Sequence, residues 1–295
     1  MATLKELKIR IGSVASSEKI TGAMKMISSA KVHKEEQSLR RLAPFKDQIK
    51  SIMGHILQTG ENFNSPLIEG REVKRVGIVV YGSDDGLCGA YNMNIFKGLL
   101  IEIDRIFDTY GKEVEIVVYP VGKKMGKAVR NLSHSNVSCV VKDGINSKMQ
   151  GETVTEFTKS LRDSFLKGEL DLVETVFMSY KSMSKQSLAI EQLFPVTEKM
   201  LVNEAEGETD NQLYIFEPDA NSIFNEVLPM FVMSTMQEIT VENRASEQAA
   251  RVMAMQSAND NAKKLFDELQ LEYNKLRQQG ITTELLDILG GQVER

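Results

Sequence analysis

Tryptophan is absent from the 295-residue chain, proline occurs only 6 times, cysteine twice and histidine three times. Two cysteines, Cys88 and Cys139, are too few for a disulfide framework or a zinc cluster, and His33, His55 and His134 stand far apart. These counts argue against a metal enzyme and make a reducing compartment the expectation. No run approaches the roughly 18 uncharged apolar residues that span a bilayer, and residues 1–8 (MATLKELK) carry charge where a signal peptide needs an apolar core. The chain is therefore expected to be neither secreted nor membrane-spanning. With 42% hydrophobic and 26% charged residues it has the composition of a packed protein, which excludes disorder throughout.

What is present in excess points the same way. Methionine occurs 15 times; with so few prolines, that suits long helices with adaptable seams better than loop-rich domains. Charge is segregated. Residues 1–50 hold 11 Lys and Arg against 5 Asp and Glu, residues 240–295 hold 7 against 9, and the remainder of the net −5 falls on the middle. A basic first segment beside an acidic middle implies partners more than it implies fold.

From Thr3 to about Gln58 the spacing is helical. Leu4, Leu7, Ile11 and Val14 form one block, and Ile20, Met24 and Ile27 form a second after a one-residue slip, so a stammer is expected between them. Pro44 should kink or divide this stretch, leaving one long helix or two stacked pieces. Residues 60–70 read as a loop, with Asn62, Asn64, Ser65 and Pro66.

The character then changes. Val76–Tyr81, Val114–Tyr119 and Val137–Val141 are short β-branched runs. Helical stretches alternate with them: Ile95, Leu99, Ile103 and Ile106 on one face, then Lys123–Asn131, then Val154–Leu166. Alternation of this kind predicts parallel βαβ units. Leu172–Tyr180 and Ser187–Leu193 add two strands close enough in sequence to make a hairpin at one sheet edge. Asn203–Asn211 is a polar exit linker.

The last segment carries most information. Pro218 sits where a first helical turn accepts proline, and only Pro229 follows. A heptad seam runs through Val241, Ala245, Gln248, Val252, Met255, Asn259, Ala262, Phe266, Leu269, Tyr273 and Leu276. A helix from Pro218 to Leu289 would be about 108 Å long, against roughly 50 Å for a compact globule of this chain. The other long heptad segment available to pair with it is the N-terminal one, and because both flank one inserted domain they should run antiparallel. The predicted fold class is thus α/β with a long antiparallel coiled coil: N- and C-terminal helices paired, and a Rossmann-like α/β domain inserted between them. The expected domains are a shaft helix at 1–60, an α/β domain at 73–202 and a second shaft helix at 212–295.

Ile281, Leu285, Leu286, Ile288 and Leu289 cover an arc of about 160° at 100° per residue, wider than one partner helix can bury. Either this end is a frayed terminus capping the seam or it enters an apolar socket on another protein.

Gly82, Gly86 and Gly89 satisfy neither the dinucleotide fingerprint nor a P-loop, and Gly122–Lys127 has the wrong gap and no hydroxyl after its lysine. Cys88 follows a strand and precedes a helix, where a thiol can be activated, but it lacks a partner base; His134 is the sole candidate in fold terms. No cofactor, metal or nucleic acid is expected.

Residues 13–32 (SVASSEKITGAMKMISSAKV), 82–92 (GSDDGLCGAYN) and the C-terminal ENRASEQAARVMAMQSANDNAKKL with LEYNKLRQQGITTELLDILGG together resemble the gamma subunit of F-type ATP synthase, in the family's order and across essentially the whole chain. The resemblance implies a non-catalytic central rotor shaft. It would turn, in one copy, inside a ring of alpha and beta subunits, with the α/β domain as a foot touching the epsilon subunit and the c-ring, peripheral on the cytoplasmic face of a bacterial inner membrane. It further implies that Met24, Lys25, Arg251, Gln278, Thr282 and Glu284 are exposed contacts to the beta subunit. Ile281, Leu285, Ile288 and Leu289 would form the apolar tip in the ring bearing, and Gly86, Leu87, Cys88 and Gly89 the signature of the foot loop. Asp85 departs from the basic residue usual there, and the segment carrying a redox switch in chloroplast relatives is missing.

Small residues at Gly22, Ala23, Ser28, Ser29 and Ala30 fit either a shaft that must not stick or close helix approach, while Lys19, Lys25, Lys31 and Lys34 form a positive collar or a solvated face. The competing class is a cysteine-dependent or nucleotide-binding α/β enzyme with a coiled-coil dimerisation arm. A plain coiled-coil spacer is a third reading.

Overall fold

The computed structural model describes residues 3–59, 63–132, 136–201 and 216–293. Helix α1 spans Leu4–Leu57. The order then runs β1 (Arg75–Tyr81), α2 (Tyr91–Tyr110), β2 (Glu115–Val121), α3 (Lys123–Arg130), β3 (Val137–Cys139), α4 (Gly151–Leu166), β4 (Leu172–Ser182), β5 (Lys185–Phe194), the short α5 (Glu198–Leu201) and α6 (Ala220–Val293). The chain divides into two compact units, one of residues 1–29 with 251–295 and one of residues 30–250.

Both long helices begin with a cap. Thr3 Oγ1 accepts from the Glu6 amide at 3.3 Å while the Thr3 amide donates to Glu6 Oε2 at 2.8 Å, a reciprocal capping box. At α6 the cap is Asp219, whose Oδ1 accepts from the Ser222 amide at 2.8 Å. The Ser222 hydroxyl, donating to Asp219 Oδ2 at 2.6 Å, and after it the Ser222 amide hold the Asp219 carboxyl below its ordinary value. Pro218 therefore lies before the helix and not in its first turn, a correction to the sequence reading. The polar run Asn203–Asn211 lies outside the described residues.

Helix α1 continues through Pro44. Pro44 and Arg40 are both exposed, so the carbonyl that proline leaves without its helical donor can be satisfied by solvent. The slipped seam is also corrected. In the first unit the inner row of α1 runs through Leu7, Ile11, Val14, Glu18, Thr21, Lys25 and Ser28, alternating by four and three without a break, with Ala15, Gly22, Met24 and Ser29 half-buried beside it. Ile20 and Ile27, chosen for their hydrophobicity, are instead 60% and 58% exposed. Small polar residues hold the inner face because the facing helix passes close: a Cβ added to Gly22 would lie 3.3 Å from Asn259 Nδ2. The seam expected on α6 is the inner one, with Val252, Met255 and Leu269 buried and Asn259, Ala262, Phe266, Tyr273 and Leu276 half-buried.

In the second unit the same alternation on α1 passes Val32, Glu35, Leu39, Leu42, Lys46, Ile49, Met53 and Ile56. Here α1 and α6 run antiparallel. Arg244 pairs with Glu35 at 3.0 Å and Glu238 pairs with Lys46, so rising positions on one helix meet falling positions on the other.

The sheet has the order β3-β2-β1-β4-β5. The first four strands are parallel and β5 is antiparallel to β4, the expected edge hairpin. Only the third strand is shorter than its sequence implied, because Val140 and Val141 are exposed beyond it. Side chains alternate between faces, as a pleat requires. Val76, Ile78 and Val80 enter one core with Ile95, Leu99, Ile103 and Ile106 of α2 and Met125 and Val129 of α3. Val79 and Tyr81 enter the other with Ile49, Met53 and Ile56 of α1, Phe157, Leu161 and Phe165 of α4, and Phe224, Leu228 and Phe231 of α6. The parallel strands are thus covered on both faces, which accounts for their near-continuous apolar runs. Each such fully buried side chain contributes about 1.5–3 kcal/mol of transfer free energy.

Candidate functional site

Three sets of residues were singled out by sequence, and each has a distinct physical setting. The first is the helix pair of the first unit. Met24 and Lys25 are half-buried on α1, whereas Lys19, Lys31 and Lys34 are exposed. On α6, Gln278, Thr282 and Glu284 are exposed, with Thr282 Oγ1 donating to the Gln278 carbonyl at 2.9 Å. Arg251 differs from the sequence expectation: it is 6% exposed, so its guanidinium is not a free surface group.

The second set is the end of α6. Ile281, Leu285, Leu286, Ile288 and Leu289 are 49%, 55%, 63%, 63% and 59% exposed. At 100° per residue, Gln278, Thr282, Leu285 and Leu289 fall on one face, and Ile281, Glu284 and Ile288 on the face beside it. Polar and apolar candidates thus share a surface: Gln278 and Thr282 stand about two turns and one turn before Leu285, and Glu284 lies between Ile281 and Ile288.

The third set is the loop between β1 and α2. Gly82 and Gly122 cross so closely that a Cβ on Gly122, itself at φ 101°, would lie 3.0 Å from the Gly82 carbonyl carbon and oxygen. Asn92 Oδ1 accepts from the Ser83 amide at 2.9 Å, and its Nδ2 donates to Ser83 Oγ at 2.7 Å. Asp84 accepts from the Lys123 amide at 2.9 Å and from the Ser147 amide and hydroxyl at 3.2 and 3.0 Å. Asp85 pairs with Lys148 at 2.9 Å. The network leaves Leu87 at φ 65° and 59% exposed, with Gly86 and Gly89 exposed on either side.

Cys88 points the other way. It is 3% exposed, with its sulfur 3.4 Å from Asn92 Nδ2 and 3.7 Å from Ser83 Oγ, neither of which is a base. This setting is that of a packed thiol. His134, the one candidate base, lies outside the described residues. Among the described residues no group of three or more His, Cys, Asp or Glu side chains is placed to hold a metal ion, and no helix is long and apolar enough to cross a membrane.

Sequence reasoning missed the polar ties by which α6 crosses the sheet domain. Tyr81 Oη lies 3.0 Å from Thr240 Oγ1, and burial raises the Tyr81 phenol well above its ordinary value. Tyr91 Oη donates to Asn243 Oδ1 at 2.6 Å. Tyr81 was legible as a strand end and Tyr91 as part of the loop motif 82–92, but their partners stand about 150 residues later, beyond the reach of any local pattern.

Two long terminal helices that pair with one another, with a doubly covered α/β sheet spliced between them, define a stalk-type subunit built on a coiled coil. A family model described as ATP synthase matches residues 3–293. The ATP synthase gamma chain of Bacteroides thetaiotaomicron is 38% identical over 302 residues, spanning 100% of both chains. That of Parabacteroides distasonis is 37% identical over 292 residues, 99% of this chain and 98% of its own. The chain belongs to the ATP synthase gamma-chain family, the central-stalk rotor subunits of the F1 motor. Its fold is also that of a chain in the Euglena gracilis mitochondrial ATP synthase, in an assembly of OSCP, F1 and c-ring. The TM-score is 0.62, with 18% identity, over 98% of this chain and 93% of that one. A rotor chain of the same enzyme aligns with a TM-score of 0.59 and 16% identity over 94% and 98% of the two chains.

Proposed function

We propose that this chain is the non-catalytic shaft that couples transmembrane ion flow to ATP synthesis and hydrolysis on the beta subunits of its complex. One copy turns within the alpha and beta ring, and the sheet domain is held by the epsilon subunit and the c-ring at the cytoplasmic face of the membrane. The single observation that carries this reading is the C-terminal end of α6, where five large apolar side chains are each about half exposed or more. Leaving five such groups in water costs several kcal/mol, which a surrounding apolar bearing would recover.

A shaft that transmits torque needs an unbroken helix pair, and α1 and α6 are continuous over 54 and 74 residues. It must also turn without adhering, and the outward positions between seam and tip are largely polar, with Gln278, Thr282 and Glu284 among them. In this reading those three contact the beta subunit together with Lys25, while Met24 adds apolar area. Arg251 takes part by fixing the inner face and not as a free hook. Exposed Leu87 on its rigid loop is the foot's contact point.

The test is reconstitution. The purified chain alone should hydrolyse no ATP, and adding it to alpha and beta subunits should restore cooperative ATPase activity. Hydrolysis by the isolated chain, or a ring whose kinetics ignore it, would overturn the proposal.

A further inference from the structure

Helix α2 and strand β4 meet through two carboxylates and one guanidinium, none of which the rotor reading uses. Glu102 is 2% exposed and Glu174 5%. Arg105, one turn along α2, donates through Nε to Glu102 Oε1 at 2.6 Å and through a terminal nitrogen to Glu174 Oε1 at 2.8 Å. Its own side chain is 49% exposed, so the guanidinium bridges the buried pair to solvent. Glu174 Oε2 is buried with no hydrogen-bonding partner among the described residues. On the neighbouring strands the residues in register with Glu174 are Ile78 on β1 and Gln192 on β5, neither of which titrates. The charged groups facing Glu174 are therefore Glu102 and Arg105, both from α2.

Charge counting leaves this cluster one proton short. With both carboxylates ionised, two buried negative charges share one half-solvated positive charge, and the orphaned oxygen has neither donor nor water-like surroundings. Burial of an uncompensated charge is costly enough that such a group takes up a proton instead. A proton on Glu174 converts its carboxylate into a donor, and the Glu102 carboxylate is the acceptor at hand.

We infer that Glu102 and Glu174 hold a single proton between them around neutral pH, and that this shared proton fastens α2 to β4, so that the joint loosens as the proton is lost. Burial, followed by the hydrogen bond and charge of Glu102, pushes the Glu174 carboxyl from 4.5 up to about 7, outweighing the opposite pull of Arg105. The folded chain thus keeps a proton that the unfolded chain has already released, so stability falls as pH rises from about 4.5 to about 7 and levels off above. Within that window one proton changes the folding equilibrium by about tenfold per pH unit. The consequence reaches beyond the joint, because the first turn of α2 carries Asn92, which closes the exposed loop, and Tyr91, which holds Asn243 of α6.

The experiment titrates the full-length chain labelled with carbon-13 at the glutamate carboxyls, followed by NMR, alongside amide hydrogen exchange of α2 corrected for the intrinsic pH dependence of exchange. One glutamate resonance should titrate near neutrality and vanish in Glu174→Gln. Exchange in α2 should quicken as that resonance ionises, and should lose this pH dependence in the same variant. In Glu102→Gln, which leaves Glu174 alone with Arg105, the resonance should titrate closer to the ordinary carboxylate value. A wild-type spectrum in which every glutamate titrates in the ordinary range overturns the inference, even if the variants fail to fold. So does α2 exchange that is indifferent to the ionisation.

Discussion

The Asn259 side-chain amide donates to the main-chain carbonyl of Glu18 at 2.7 Å and lies 3.3 Å from Thr21 Oγ1. One polar side chain on the α6 seam thereby reads the backbone of α1, at the point where Gly22 lets the two helices come together. A polar residue at such a position fixes register at some cost in stability.

This arrangement predicts a coupling between Gly22 and Asn259. Gly22→Ala should gain up to about 1 kcal/mol from helix propensity, but its Cβ meets Asn259 Nδ2 at 3.3 Å, so in the wild-type background the two effects should nearly cancel. In an Asn259→Ala background the clash is gone and Gly22→Ala should stabilise by about 0.5–1 kcal/mol. Urea denaturation of the four chains in a double-mutant cycle measures this; strict additivity would show that the close approach carries no energy.

Arg251→Ala should destabilise the fold. A surface arginine could be removed within about 0.5 kcal/mol, but truncating a 6% exposed one leaves its buried surroundings unfilled, at a cost of about 1–3 kcal/mol. A lower denaturation midpoint should therefore accompany any loss of turnover, whereas unchanged stability with slower rotation would mark Arg251 as a partner contact alone.

The α6 tip should behave in the opposite way. Leu285→Ser with Leu289→Ser removes side chains that are 55% and 59% exposed, so the stability of the isolated chain should change by no more than about 1 kcal/mol. Binding to the alpha and beta ring should weaken at least tenfold, as read by co-sedimentation or by the chain concentration that restores cooperative ATPase. Equal binding by the double variant would remove the bearing from the proposed mechanism.

Asp84→Ala should unlock the exposed loop. It leaves the Lys123 amide and the Ser147 amide and hydroxyl without their acceptor, a cost of about 2–3 kcal/mol. Amide exchange of residues 84–89 should rise while that of the β1 core stays slow. Protection unchanged across the loop would show that the Ser83 and Asn92 bonds suffice.

Much of this was legible because the signals are local and periodic. The parallel strands announced themselves as β-branched runs buried on both faces, and the α6 seam as a heptad whose inner positions are the ones observed. The α1 seam lies on a different face from the one that hydrophobicity suggests. Ile20 and Ile27 attracted the pattern, yet the inner face belongs to Glu18, Thr21 and Ser28, which are short or flexible enough to admit a close neighbour. Arg251 departs from the sequence expectation too, since its charge suggests exposure whereas the residue is 6% exposed. The exposed Leu87 loop could be named from its glycines, but not its lock, which needs Asp84 to meet Lys123 and Ser147 from two other segments.

The amino-acid sequence alone determined that two helices of great length flank an inserted α/β domain, and that the last turns of α6 carry more apolar surface than one partner can cover. Those are properties of period and composition, and they hold wherever the chain is placed. Which residues face inward, why Pro44 is tolerated, and that Glu102 and Glu174 share one arginine were decided by tertiary structure. Each depends on which distant backbone comes within a few ångströms, and that distance is set by the packing of the whole core.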